Sequence, residues 1–330
     1  MPDHTHLPRL AHVTTPAFSI VMPLWNKEAT VGRAIESVLA QTVQDWELII
    51  VNDGSTDESA AAASRFQDPR IRMVHQENQG VSAARNRGVA EAKADWVAFL
   101  DADDEWLPDF LETVAGLRRK FPEAALCGTG YFYKRTSGAP RQAPVRGMRG
   151  RAWEGLLEDY FRLASASAPP LWSSAVAARK AALEAIGGFP AGVTAGEDLL
   201  TWARLAARFP VAYSSEPRAV FWYPASPAER PGRVPDPLDA VGEGLRALYA
   251  AAPPVQKASL AQYIAHWHDM RSVIYLGLGD RAAARAEGAK ASAWGGWTTK
   301  RCALYLLALL PVGSWALYRG LKALWRARTT

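Results

Sequence analysis

Three apolar segments alternate with helical segments in the first third of the chain, and each apolar segment ends abruptly in polar residues. The apolar segments are residues 18–22, 46–51 and 96–100. After the first of them, Val31, Ile35 and Val38 recur at the i, i+4 and i+7 spacing of an amphipathic helix. Uniformly apolar strands that alternate with helices are typical of a parallel, doubly wound sheet buried on both faces. The pattern therefore predicts an α/β fold with a mostly parallel sheet.

Polar side chains follow each predicted strand at the point where the apolar run stops. Asn26 follows the first strand, Asp53 the second and Asp101 the third. In open α/β sheets, ligands bind in the crevice outside the carboxyl ends of the strands. We therefore expect the three turns to share one ligand-binding crevice.

Three carboxylates within four residues end the third strand, in the run Asp101-Ala102-Asp103-Asp104. Residues i and i+2 of an extended chain point the same way, so Asp101 and Asp103 are expected to converge. Carboxylate oxygens suit Mg²⁺ or Mn²⁺, which fill their remaining positions with water and substrate phosphates. A metal-bound nucleotide is the first hypothesis. The alternative is that these aspartates cap the next helix or solvate a turn.

The composition excludes several other classes of protein. With 330 residues, 49% of them hydrophobic, the chain can bury a sizeable core and allows two domains. The formal charge of +5 comes without an RNP, zinc-finger or helix-turn-helix motif, so we expect no nucleic-acid partner. Cys127 and Cys302 lie too far apart in sequence to suggest a disulfide scaffold, and residues 1–16 lack an apolar signal segment. A cytoplasmic location is predicted.

Three sequence blocks carry a resemblance to a known family. They read FSIVMPLWNKE, ELIIVNDGSTDES and NQGVSAARNRGVAEAKADWVAFLDADDEWLPDFL, and a fourth block pairs Gly187-Gly188-Phe189 with Gly196-Glu197-Asp198. Together they resemble the inverting glycosyltransferases of family two, which have the GT-A fold. The resemblance covers about residues 18–225, so the last hundred residues lie outside it.

The resemblance implies a metal-dependent enzyme that moves a sugar from a nucleoside-diphosphate donor, with a UDP-sugar favoured, to a hydroxyl acceptor with inversion. It implies a role in cell-surface polysaccharide or glycoconjugate synthesis, with Mg²⁺ or Mn²⁺ on Asp103 and Asp101. Asp104 is a weaker metal ligand candidate. Asp198 matches the general base, with Glu197 as the fallback. The residues that match nucleotide-sugar contacts are Pro23, Trp25, Asn26, Asp53, Arg85, Asp101 and Ala102.

Each of these assignments has a structural alternative. Asp53, which matches the position that accepts a hydrogen bond from the base, could instead close an Asx-turn. Arg85 could be an exposed helical arginine, and Glu197 or Asp198 could be the N-cap of the helix that follows. The chain also departs from the family where many members place an Arg or His after the last strand, because it reads Phe221-Trp222-Tyr223 there.

Two other functions compete with glycosyl transfer. A dinucleotide-binding oxidoreductase is suggested by the alternating strands and by Gly128-Thr129-Gly130, but a third glycine and a following helix are missing from that motif. A non-catalytic sugar-binding or membrane-associated partner protein derived from the same fold is the other alternative. The retention of Asp53, Asp101, Asp103 and Asp198 argues against that loss of activity.

The rest of the chain is predicted to be organised around this domain. We expect a flexible N-terminus at 1–17, the GT-A-like domain at 18–225, a Pro-rich linker or lid at 226–237 and a helical region at 238–330. Residues 131–150 are expected to form a mobile loop near the active site. At 302–328, Leu317, Leu321 and Leu324 oppose Arg319, Lys322 and Arg326 on a helical projection. This pattern fits attachment to the inner face of a membrane, where a glycan or lipid-linked acceptor would be presented, or a helix packed on its own domain.

Overall fold

A mixed β-sheet lies at the centre of the structure, a computed structural model that describes residues 15–147, 152–223 and 234–310. The described residues contribute ten strands to this sheet. In chain order the strands are β1 (Phe18–Leu24), β2 (Trp46–Asp53), β3 (Ile71–Gln76), β4 (Trp96–Phe99), β5 (Glu105–Trp106), β6 (Leu126–Lys134), β7 (Arg141–Gln142), β8 (Glu154–Leu156), β9 (Val176–Arg179) and β10 (Val211–Trp222).

Helices cover both faces of the sheet and form the C-terminal region. They are α1 (Val31–Leu39), α2 (Ser59–Ser64), α3 (Val81–Glu91), α4 (Phe110–Lys120), α5 (Tyr160–Ala166), α6 (Lys180–Ala185), α7 (Glu197–Arg208), α8 (Ala240–Ala251), α9 (Pro254–Leu278), α10 (Arg281–Gly295) and α11 (Thr299–Leu307). A short 3₁₀ turn, Ser173–Ala175, precedes β9.

The strand order is β3-β2-β1-β4-β9-β6-β10-β5, with β7 on β6 and β8 on β10. Strands β3, β2, β1 and β4 are parallel, and so are β6 and β10. Strand β9 runs antiparallel to both of its neighbours and joins the two parallel groups. Because β1 lies between β2 and β4, the carboxyl ends of these three strands meet at one edge. The predicted α/β fold with a mostly parallel sheet is confirmed.

Both faces of the sheet are buried at β1, β2 and β4, which explains why these strands are mostly apolar. In β1, Ile20 and Met22 pack with α1 and α4 on one face, while Val21 packs on the other face. All three side chains are fully buried, as alternate residues of a strand with two covered faces must be.

The C-terminal helices share a core with the α/β region. Leu260, Tyr263 and Trp267 of α9 lie in the same hydrophobic cluster as Leu200 and Trp202 of α7. The predicted helical region is therefore present, and its helix α9 packs against α7, one of the helices that cover the sheet.

Several sequence predictions fall outside the described residues. These are the N-terminus up to residue 14, most of the Pro-rich segment at 226–237, and the amphipathic pattern at 317–326. Among the described helices, none is both long and apolar enough to cross a membrane. The predicted loop at 131–150 is partly wrong, because β6 extends to Lys134 and pairs with β7.

Candidate active site

The turns after β1 and β2 are joined by Asn26, as their shared sheet edge predicts. Its backbone adopts the left-handed conformation, with φ at 51°. The side-chain oxygen accepts a hydrogen bond from the backbone N–H of Thr56 at 2.8 Å, and the backbone N–H of Asn26 donates to the Ser55 hydroxyl at 3.2 Å. Pro23 lies within β1, and Trp25 stands at the rim of the crevice with 54% of its surface exposed.

Asp53 organises the segment that leads into α3. Its carboxylate is buried and accepts hydrogen bonds from the backbone N–H groups of Gln79 at 2.9 Å and Gly80 at 2.8 Å. The Gln76 side chain donates a third bond at 2.7 Å. The turn after β2 is closed instead by Asn52, whose side chain accepts from Ser55 N–H at 3.1 Å. The Asx-turn interpretation of Asp53 is therefore wrong.

Arg85 joins the end of β4 to the start of α7. This side chain of α3 is only 3% exposed, and it forms ion pairs with Asp101 at 2.8 Å and with Glu197 at 3.0 Å. Burial alone would lower the pKa of Arg85, but the two carboxylates hold it above its ordinary value. The interpretation of Arg85 as an exposed helical arginine is wrong. Residues far apart in sequence thus meet at one buried cation.

The aspartates after β4 turn toward separate partners instead of converging. Strand β4 stops at Phe99, and the backbone N–H of Asp104 donates to the carbonyl of Asp101 at 3.0 Å. This turn ends the extended geometry on which the i, i+2 prediction depended. The Asp103 carboxylate contacts Lys27 Nζ at 2.6 Å, whereas Asp101 faces Arg85. Ala102, between them, is buried.

Asp104 has a structural role, because its carboxylate is bound by other groups of the protein. It is buried and accepts hydrogen bonds from Ser174 Oγ at 2.6 Å and from the backbone N–H of Trp222 at 3.3 Å. Burial raises its pKa well above the usual range, and Asp103 and Asp101 add repulsion. The same Ser174 hydroxyl accepts from Asp101 N–H at 3.0 Å. Ser174 therefore fixes the turn that presents Asp101 and Asp103.

The carboxylates at this turn are ligands of the kind that a divalent cation such as Mg²⁺ takes when it binds together with a nucleotide. Within 15–147, 152–223 and 234–310, no cluster of three or more His, Cys, Asp or Glu side chains is placed to hold a metal ion. Mg²⁺ bound with a nucleotide usually takes only one or two carboxylates, with water and phosphate oxygens as the other ligands. The part-exposed Asp103 carboxylate already faces the cation of Lys27. Asp103 and Asp101 are oxygen donors of this kind, and in the structure their carboxylates face Lys27 and Arg85.

Asp198 lies in the first turn of α7, beside the ion pair of Glu197 and Arg85. Its carboxylate accepts hydrogen bonds from Leu199 N–H at 2.8 Å and from Ser173 Oγ at 3.4 Å. Burial and the neighbouring Glu197 raise its pKa to about 6, although Arg85 acts in the opposite direction. The N-cap of α7 is Gly196, so neither acid fills that position.

Aromatic residues of α9 support the start of α7. The Trp267 indole packs on Gly196 and donates a hydrogen bond from Nε1 to Asp239 at 2.9 Å. The Tyr263 hydroxyl donates to the Leu199 carbonyl at 3.4 Å. Sequence reasoning missed these contacts, along with Lys27 and Ser174. The spacing of Tyr263 and Trp267 predicts only that they share a helix face.

Gly196 is expected to tolerate no side chain. Its φ is +84°, and an added Cβ would lie 2.7 Å from two atoms of the Trp267 ring. The backbone strain of about 1–2 kcal/mol and the overpacking of about 1–3 kcal/mol should combine in Gly196→Ala. We expect a lower free energy of unfolding and reduced turnover.

Gly192→Ala is the matched control, because Gly192 has a φ of +75° with no atom within 4 Å of an added Cβ. It carries the backbone strain without the clash. Denaturant unfolding of both variants should show the larger loss for Gly196→Ala, and equal losses would contradict the packing argument.

The glycine pair that suggested a dinucleotide site lies in a strand interior. Gly128 and Gly130 belong to β6, where an added Cβ on Gly130 would lie 2.6 Å from the carbonyl oxygen of Ser215. These glycines permit close packing of β6 against β10. No phosphate-binding turn is formed by them, and the oxidoreductase interpretation loses its support.

Comparison of the chain with known proteins identifies its family. A family model described as glycosyl transferase family 2 matches residues 19–187, slightly more than half of the chain. The uncharacterized glycosyltransferase YibD of Escherichia coli (strain K12) is 33% identical over 162 residues, which are 48% of this chain and 43% of YibD. The chain thus matches less than half the length of this relative.

Solved structures share the fold at low sequence identity. S. aureus TarS 1–349, in a crystal structure with UDP-GlcNAc, has a TM-score of 0.67 and 17% identity, covering 87% of this chain and 83% of that chain. The mannosyltransferase PcManGT from Pyrobaculum calidifontis, in complex with GDP-Man and Mn²⁺, has a TM-score of 0.53 and 19% identity, covering 95% and 88%. These likenesses confirm the predicted GT-A-type fold. The match to the family model over more than half of its length shows that the chain belongs to glycosyl transferase family 2.

Proposed function

We propose that the protein transfers a sugar, with inversion, from a nucleoside-diphosphate donor to a hydroxyl group of a glycan or lipid-linked acceptor. The observation that carries the proposal is the position of Arg85, which joins Asp101 to Glu197 beside Asp198. In this proposal Arg85 connects the donor side of the reaction to the acceptor side. We also propose a role in cell-surface polysaccharide or glycoconjugate synthesis, which the resemblance to the glycosyltransferases of family two implies.

Asp198 is proposed as the general base. A carboxyl group with a pKa of about 6 is largely ionised at neutral pH, yet more basic than an ordinary aspartate. It can take the proton of the acceptor hydroxyl as that oxygen attacks the anomeric carbon. Glu197 is the weaker candidate, because its carboxylate is engaged by Arg85. Single displacement with such a base inverts the anomeric centre.

The donor side rests on the turns after β1, β2 and β4. Asp103 and Asp101 would hold Mg²⁺ or Mn²⁺, which when bound offsets the charge that develops on the departing diphosphate. Pro23, Trp25, Asn26, Asp53, Arg85 and Ala102 are proposed to surround the nucleotide sugar. A UDP-sugar is favoured by the matching position of Asp53 and by the UDP-GlcNAc bound to TarS. The Mn²⁺ in the PcManGT complex supports a divalent cation.

We also propose that the protein works in the cytoplasm at the inner face of a membrane. Within the described part of the tail, Leu306 is 60% exposed and Leu309 is 58% exposed. Such apolar exposure next to a basic segment fits a surface that meets lipid.

The donor and metal parts of the proposal are tested by Asp103→Asn. The wild-type protein should be stabilised by UDP with Mn²⁺, by about 2.7 kcal/mol at a hundred times the dissociation constant. The variant should keep its fold, because an exposed ion pair contributes only ~0–1 kcal/mol, but lose the Mn²⁺-dependent part of the stabilisation. Thermal-shift measurements with UDP, GDP and dTDP would also identify the base.

The control is Asp45→Asn, which removes an exposed carboxylate just before β2, away from the carboxyl ends of the strands. Its UDP and Mn²⁺ response should equal that of the wild type. Stabilisation by UDP that is the same with a chelator as with Mn²⁺ would contradict the metal assignment.

A further inference from the structure

An aromatic cluster lies at the carboxyl ends of β6 and β10, outside the residues assigned to the donor and the base. The rings of Tyr133 and Phe221 are 5.9 Å apart, and those of Trp172 and Phe221 are 5.3 Å apart. Phe221 is the register partner of Tyr133 in the parallel ladder, so both side chains project from one face. We call this cluster the aromatic wall, and it consists of Tyr133, Trp172, Phe221 and Tyr223, which pack over the buried ring of Tyr131.

The chain connects the aromatic wall to the proposed base. Trp172 directly precedes Ser173, whose hydroxyl is 3.4 Å from the Asp198 carboxylate. Carboxyl ends of parallel strands are also where open α/β sheets bind ligands. A molecule that rests on the aromatic wall would therefore lie at the carboxyl ends of β6 and β10, one residue along the chain from a hydrogen-bond partner of Asp198.

Positive charges flank the aromatic wall. Residues 134–146 contain Lys134, Arg135, Arg141 and Arg146 and no acidic residue. Arg141 in β7 is the antiparallel partner of Tyr133 in β6, so the two side chains emerge on the same face. The Arg135 guanidinium lies 5.1 Å from the centre of the Tyr223 ring. Both arginines are exposed, and neither forms an ion pair with another described residue.

We propose that the aromatic wall, with Arg135 and Arg141, binds an acceptor glycan that carries negative charges. Aromatic faces would contact the apolar faces of sugar rings, and the arginines would contact carboxylate or phosphate groups. The inference rests on the proposed function, since it places the acceptor beside Asp198. It adds the chemical class of that acceptor.

The test measures saccharide binding directly on the full-length protein. The probes are tetragalacturonic acid and its fully methyl-esterified form, which has the same rings without the charges. At low salt we expect the acid to bind more tightly by about fivefold for each arginine engaged, the effect of ~1 kcal/mol of attraction between surface charges. Binding can be followed by ligand-observed NMR or calorimetry.

Three variants separate the contribution of the arginine charges from that of the aromatic rings. The double variant Arg135→Gln/Arg141→Gln should bind the acid no better than the ester. Tyr133→Leu should weaken binding of both forms, because it removes a ring and no charge. Arg65→Gln removes an exposed arginine after α2 and should bind as the wild type does.

The same samples are tested for UDP binding with Mn²⁺ and for binding to phosphatidylglycerol vesicles. Equal binding of acid and ester, unaffected by the double variant, would overturn the inference. Vesicle binding that the double variant abolishes, without any saccharide binding, would assign the arginines to a membrane surface and also overturn it. Saccharide binding without UDP binding would count against the donor assignment while leaving the aromatic wall supported.

Discussion

Asp198→Asn is expected to lower turnover by about 10² to 10⁴, while binding of the nucleotide donor is retained. The amide has nearly the shape of the carboxylate and can still accept the hydrogen bond from Leu199 N–H. It cannot take the proton of the acceptor hydroxyl. Because the described hydrogen bonds of Asp198 come from Leu199 and Ser173, and none comes from a residue of the proposed donor side, donor affinity should persist. Steady-state kinetics and UDP titration together distinguish loss of chemistry from loss of binding.

The pH dependence of kcat/KM gives a second readout of the same group. The pKa of Asp198 is raised to about 6, and only its deprotonated form can act as a base. Activity of the wild type should therefore rise as the pH increases through about 6 and then level off. The acidic limb should be absent from the residual activity of Asp198→Asn.

Glu197→Gln is the matched comparison in the neighbouring position. It removes the partner of Arg85 and should act mainly on stability, because the Glu197 carboxylate is held in that ion pair. If Asp198→Asn turned over normally and Glu197→Gln lost the acidic limb, Glu197 would be the base.

The sequence predicts the sheet well because burial on both faces leaves a direct signal. Val21 and Met22 lie on opposite sides of β1 and both contact protein, so nearly every position of that strand is apolar. The exception is Ser19, which is buried with its hydroxyl donating to Glu47. The common edge of β1, β2 and β4 then follows from topology, and it brings Asn26 and the β2 turn together as expected.

The partners of the side chains at that edge could not be predicted from the sequence in the same way. The convergence of Asp101 and Asp103 assumed an extended chain, but the turn to Asp104 sends their carboxylates to Arg85 and Lys27. The hydroxyl of Ser174, which fixes this turn, belongs to a segment about seventy residues later. No local pattern marks such a contact.

The protonation of Asp198 likewise depended on tertiary packing. Its place in the first turn of α7 would lower the pKa through the helix dipole, while burial would raise it. Packing decides the direction, because α9 closes over the start of α7 through Trp267 and Tyr263. The sequence predicts helix α9, but it does not show which surface that helix covers.

Arg85→Met is expected to lower the free energy of unfolding by about 3–5 kcal/mol, the usual cost of removing one partner from a buried ion pair. Methionine approximates the length of arginine but leaves Asp101 and Glu197 facing each other without a cation. The control is Arg87→Met on the same helix. Arg87 is exposed and pairs with Glu91 one turn away, so its loss should cost no more than about 0.5 kcal/mol. Denaturant unfolding of the two variants measures the difference.

The same substitution should also move the pH dependence of catalysis, which links Arg85 to the proposed base. The positive charge of Arg85 lowers the pKa of Asp198, against the larger effects of burial and Glu197. Removing that charge must raise the Asp198 pKa further, so the acidic limb of kcat/KM should shift to higher pH. A variant that also carries Glu197→Gln should regain part of the stability and reverse part of this shift, because Glu197→Gln removes one of the two negative charges that Arg85→Met leaves without a cation. An Arg85→Met protein as stable as Arg87→Met, with an unmoved limb, would show that Arg85 does not connect the two halves of the site.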